Sequence, residues 1–263
     1  TYFPEHRRVL APLWFRERGT GIPGDELGLS MPDLVGARPI LGSFFRTVTS
    51  FLPGEIAGGE YASWSRGGTP IVAYRSFGHA ARLLARHLRR AAGPTYTYLY
   101  VLTVDKYSHD HGVSSDRVGH EVDRVDRLLS RIADSIPPGV RIIVTADHGL
   151  ADVPDENRFT IRDGDPLARH LAAGPTGEGR APVFHLRPGS DDAFRAAFAD
   201  HPASRCFELH RPADLASRHM YGRAPLSDAA ARHFGDYAGI STEPALLQYV
   251  PAGNNPIHHV AAP

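Results

Sequence analysis

At 263 residues with 42% hydrophobic content, the chain has enough apolar material to bury a sizeable core, which excludes a disordered polypeptide. Its 29 basic and 29 acidic residues cancel, which argues against the clustered positive charge of a duplex-binding or membrane-surface protein. Cys206 is the single cysteine, so neither an intrachain disulfide nor a cysteine-based zinc site is available.

No run of about 18 apolar residues marks a membrane segment. The opening TYFPEHRRVL lacks the order of a signal peptide, although a start on Thr1 rather than Met leaves a lost leader open. Fifteen histidines are many for this length, and histidine is the commonest protein ligand for metals.

Thr1 to about Gly78 is rich in Gly and Pro and predicts short strands and loops. Leu83, Leu84 and Leu88 predict a surface helix over His79–Ala92. The run YTYLYVLTVD then predicts a buried strand ending on Asp105, with DKYSHDHGVSS as the turn beyond it.

From Asp116 to Ile136, Val118, Val122, Val125, Leu128, Leu129 and Ile132 share one helical face, and Pro137, Pro138 and Gly139 end the pattern. VRIIVTAD predicts a second strand, ending on Asp147. Strand, helix and strand make a parallel βαβ unit, which would set both acids on the C-terminal edge of a sheet, where such sheets bind ligands. Beyond Gly149 the alternating pieces read as the rest of one domain over residues 1–263, with a small cap or insert within 151–245.

Asp105 and His109 are four apart, and Asp147 and His148 are adjacent before Gly149, which lets the backbone bend sharply. Carboxylate and imidazole suit zinc, and two such pairs could hold two ions about 3.5–4 Å apart.

VDKYSHDHGVSS resembles the Asp-x-x-x-His-x-x-Gly element of the type I phosphodiesterases and nucleotide pyrophosphatases, in the alkaline phosphatase superfamily. VTADHG is similar to their Ser/Thr-x-Asp-His-Gly element, the helix with Asp126 to their connecting helix, and ARHFGDYAGIS to their Arg-x-x-Gly-Asp segment. The resemblance runs from Gly93 to Ile240. It implies an alkaline phosphatase-like α/β fold, three-layer α/β/α with a mostly parallel central sheet, incomplete at both ends of this chain. It implies two divalent metal ions, Zn2+, with Asp105 and His109 as ligands of one and Asp147 and His148 of the other. The implied substrate is a small-molecule phosphoester, nucleotides included, with hydrolysis of a phosphodiester or pyrophosphate bond and no nucleic-acid duplex as partner.

The sequence departs from the family at two places. The late His-Gly ligand has only His258 and His259 of NPIHHVAAP as counterparts, so His259 is a candidate without its glycine. The Asp-Gly strand and the Thr or Ser nucleophile are not visible: Thr47 and Thr49 of TVTSFLPG lack the preceding strand, and Thr1 lacks a helix cap. The nucleophile is therefore expected outside this sequence, and the chain alone is expected to be inactive. His111 is a candidate substrate contact or a surface residue, the remaining histidines read as surface or core, and Lys106, the only lysine, is given no role. Phosphomonoesterase, phosphonoacetate hydrolase and a non-catalytic metal-binding scaffold are the alternative readings.

Overall fold

Two serines start the two principal helices where the apolar period requires them. The Ser76 hydroxyl accepts from the His79 amide and opens helix α1, Phe77–Arg90. The Ser115 hydroxyl likewise accepts from Val118 and opens α3, Asp116–Ser135, so each cap satisfies an amide with no partner inside its helix. The computed structural model describes residues 1–254, 256 and 260–263, with the side chain of residue 229 outside that set.

The chain divides into two compact units, one of Pro12–Phe15 and Gly28–Gly149 and the other of Thr1–Ala11, Arg16–Leu27 and Leu150–Pro263. In the first, strands β1 (Thr47–Pro53), β2 (Ile71–Tyr74) and β3 (Thr95–Leu99) form a parallel sheet in the order β2-β1-β3. Phe51 and Tyr74 of the sheet pack with Ala80 and Leu84 of α1 and Leu128 and Ile132 of α3. The glycine-rich opening, read as short strands and loops, thus contains the central strand of this sheet, buried from Val48 to Pro53.

Two predicted strands are corrected. The aromatic run pairs only over Thr95–Leu99, and Thr103–His111 is a helix, α2. Its Ser108 hydroxyl donates back to the Val104 carbonyl at 2.8 Å, and Gly112, at φ +82°, closes it by donating to the Ser108 carbonyl. Asp105 therefore sits in the first turn of a helix, where a carboxylate complements the helix dipole, and not at the tip of a strand. The second corrected segment, Arg141–Ala146, is assigned to no strand, and Ile143 and Val144 are 80% and 67% exposed. An apolar run becomes a buried strand only when neighbours cover its faces and take its backbone hydrogen bonds. Among the described residues none pairs with it.

In the second unit, β5 (Leu171–Glu178), β6 (Ala181–Leu186), β7 (Phe207–His210) and β8 (Tyr237–Ser241) form an antiparallel sheet in the order β7-β8-β6-β5. Helix α4 (Asp191–Asp200) sets Phe194 and Phe198 against Phe184 and Tyr237. A parallel pair, β4 (Arg158–Arg162) with β9 (Leu246–Val250), adds Phe159, Ile161 and Leu247 to the same core. The larger sheet is thus antiparallel and the smaller one parallel. The Arg18 guanidinium donates to the carbonyls of Gly174 and Pro175 and lies over the Tyr249 ring.

His185 is 4% exposed, with its Nε2 3.1 Å from the Thr176 hydroxyl. Burial first, and nearby cations including Arg18 second, push its pKa from 6.5 down to about 4. The native state therefore holds His185 neutral while the unfolded chain protonates it, so stability rises with pH across this window. Urea unfolding is expected to show a free energy that falls between about pH 6.5 and 4, with a shallower fall in His185→Gln. Gly112→Ala forces a Cβ into positive φ and is expected to cost about 1–2 kcal/mol in the same assay.

Candidate metal centre

The i, i+4 spacing of Asp105 and His109 places both on one face of α2, with His109 Nε2 3.4 Å from Asp105 Oδ1. His148 arrives from the bend at Asp147 that follows the exposed segment, and its Nε2 stands 4.0 Å from the same Oδ1 and 3.8 Å from Asp147 Oδ2. The structure thus brings together all four residues singled out by their spacing, with Asp105 between the two imidazoles. Asp105 Oδ1 is buried and has no hydrogen-bond partner among the described residues.

Local hydrogen bonds settle which nitrogen of His148 faces the carboxylates. Its Nδ1 lies 3.1 Å from the Gly149 carbonyl, which only accepts, so Nδ1 is the donor there and Nε2 is the nitrogen that faces the carboxylates. The His148 amide donates to Asp147 Oδ1 at 3.2 Å, which holds the acid beside its neighbour.

Tyr98 and Tyr100, which the sequence reading passed over, stack with their rings 6.3 Å apart. Both phenols are raised in pKa, first by burial, with the Asp147 carboxylate adding to each and Asp105 to Tyr100. Uncharged phenols therefore border the acids at neutral pH. The visible signal was the alternation of tyrosines in YTYLY, which puts Tyr96, Tyr98 and Tyr100 on one side of an extended chain.

Other candidates fall elsewhere. Thr47 and Thr49 lie in β1, Thr49 buried, and neither stands at a helix N-terminus. Thr1 belongs to the other unit, its amino group donating to the Leu10 carbonyl. His111 lies 3.0 Å from Arg117 and stacks on Tyr107, while Lys106 and Asp126 are exposed. Asp236 of the Gly-Asp segment accepts from the Leu186 amide at 2.7 Å and positions a strand of the antiparallel sheet. His258 and His259 lie outside the described residues.

The fit to a metal is partial. Donors held at about 2.0–2.1 Å around one tetrahedral ion stand roughly 3.4 Å apart. The Asp105–His109 separation matches this and the two His148 distances exceed it. Among the described residues no group of three or more His, Cys, Asp or Glu side chains is arranged to hold an ion. The four residues form two donor pairs that meet at Asp105.

Comparisons with known proteins place the chain by fold and by family. A murine ectonucleotide pyrophosphatase/phosphodiesterase 5 structure matches over 99% of this chain and 72% of its own, with TM-score 0.61 and 14% identity. A structure of phosphonoacetate hydrolase from Sinorhizobium meliloti 1021 matches over 85% of this chain and 66% of its own, with TM-score 0.51 and 14% identity. Both show the alkaline phosphatase-like α/β fold. A ribosomal RNA small subunit methyltransferase H from Synechococcus sp. (strain CC9605) is 28% identical over 160 residues, 59% of this chain, and the chain spans about half of that relative, 51%. The sequence profile of the type I phosphodiesterase / nucleotide pyrophosphatase family matches residues 60–233, about two-thirds of the chain, a range within which both acid–histidine pairs fall. The chain therefore belongs to the type I phosphodiesterase / nucleotide pyrophosphatase family.

Proposed function

We propose that this chain carries the metal-binding part of a hydrolase that cleaves phosphodiester or pyrophosphate bonds in small phosphoesters, nucleotides among them. Asp105 and His109 would serve one divalent ion and Asp147 and His148 a second, with Zn2+ favoured by the nitrogen and oxygen donors. The observation that carries this reading is the buried Asp105 Oδ1, without a hydrogen bond among the described residues, with the Nε2 atoms of His109 and His148 at 3.4 and 4.0 Å. Electrostatics points the same way. Neither Asp105 nor Asp147 has a Lys or Arg ion pair among the described residues, so the two carboxylates would repel an anionic phosphate unless cations were bound. The nucleotide reading is supported by an inactive variant of the murine relative solved in complex with AMP.

Bound zinc supplies charge stabilisation for phosphoryl oxygens and lowers the pKa of a coordinated hydroxyl or water. The chain's own residues supply the setting. Asp105 spaces the two imidazoles, the Gly149 carbonyl fixes the His148 tautomer, and the neutral phenols of Tyr98 and Tyr100 keep a proton beside the acids. Each pair would offer two of the four donors that a tetrahedral ion takes, which would leave room for further oxygen ligands.

Zinc content measured after dialysis is expected to fall by one ion or more in Asp147→Ala and to stay unchanged in Asp110→Ala, which alters an exposed acid on the same helix as Asp105. Equal zinc in both variants would remove the assignment. For the whole protein, bis-nitrophenyl phosphate is expected to be hydrolysed faster than the mono-nitrophenyl ester, and about 100-fold or more slowly by Asp147→Ala. A strong monoester preference would overturn the diesterase reading. The likeness to phosphonoacetate hydrolase favours a second reading, to be distinguished by turnover of phosphonoacetate in place of the diester. Zinc binding without turnover of any of the three would leave a metal-binding scaffold.

A further inference from the structure

Helix α1 carries four arginines and two histidines and no acidic residue. Arg82, Arg86 and Arg89 recur at i, i+4 and i+7 on it, and Arg124, Arg127 and Arg131 recur at i, i+3 and i+7 on α3. The two rows line adjoining hollows of about 590 and 380 Å³ that share Gly78, Ala81 and Arg131. Small residues on α1 leave the space open, since Gly78, Ala81 and Ala85 all line it. Each row extends about 10 Å along its helix, at 1.5 Å per residue.

Internal partners neutralise only part of this charge. Arg124 pairs with Glu121 at 2.7 Å and lies over the Phe77 ring, and Arg89 donates to the Ser135 carbonyl at 3.3 Å. Arg82, Arg86, Arg127 and Arg131 have no carboxylate partner among the described residues. Like charges facing one another across a groove repel, and an anion laid between them removes that penalty.

We propose that the groove between α1 and α3 binds a linear oligophosphate. Guanidinium forks match phosphate oxygens two at a time, and several anionic groups in a row are needed to engage rows of this length. A single phosphate would leave most of the arginines unmatched. An extended acidic peptide presents its carboxylates on alternate sides, about 7 Å apart on either face, which is too sparse for these rows. A nucleic-acid duplex would require positive charge beyond the groove, whereas the chain has no net charge and Asp123 and Asp126 are exposed on α3. The proposal is independent of the metal centre.

The test is calorimetric titration with inorganic tripolyphosphate, using protein stripped over a chelating resin and carrying Asp147→Ala, so that no metal contributes. Saturable binding is expected, at least ten-fold weaker in Arg82→Gln/Arg131→Gln and unchanged in Arg195→Gln of the other unit. Relief of repulsion is expected to leave the melting temperature of the double variant no lower than that of its parent, while tripolyphosphate raises it for the parent alone. Absence of saturable binding, or equal affinity in the double variant, would overturn the site. Binding to phosphatidylserine vesicles or to hexa-aspartate with none to tripolyphosphate would overturn the ligand. Should the double variant melt earlier, Arg86→Gln alone, expected to bind several-fold more weakly with the melting temperature of its parent, decides the matter.

Discussion

A carboxylate oxygen withdrawn from water without a hydrogen bond is the constraint around which the first unit is arranged. Asp105 Oδ1 has lost solvent and gained no hydrogen bond among the described residues, a state that costs free energy unless positive charge compensates it. Two imidazoles approach that atom from separate pieces of chain, one a turn further along α2 and the other from the bend after α3. Helix geometry delivers His109 by periodicity alone. His148 depends on the length of α3 and on the backbone course through Arg141–Ala146.

Local signals were legible in the sequence. The two amphipathic helices stand within two residues of their expected ends, because a helix satisfies its own backbone and advertises its buried face every three to four residues. The two acid–histidine pairs were equally legible, since each rests on neighbours one or four residues apart. The reason for the second spacing was misread: Tyr, Val and Thr in YVLTVD favour a strand, yet Gly112 closes a helix that carries Asp105 and His109 on one face.

Features that depend on distant chain were not legible. The apolar run before Asp147 carries the composition of a buried strand, but pairing belongs to the partner and not to the run. Arg18 held by the carbonyls of Gly174 and Pro175, and His185 kept neutral beside Thr176, are likewise products of residues brought together only by folding. The arginine rows were hidden by summation: a net charge of zero masks a helix pair on which the arginines gather at one groove.

The open backbone of Arg141–Ala146 has a bearing on how this polypeptide behaves in a tube. Two aliphatic side chains stand in solvent there beside amide and carbonyl groups that no described strand pairs with, and an apolar stretch with free backbone groups can pair with another copy of itself. With equal numbers of acidic and basic residues, little long-range repulsion keeps molecules apart near neutrality. Buffer pH, which sets the net charge, and whatever shields Ile143 and Val144 therefore bear directly on the colloidal stability of the purified chain.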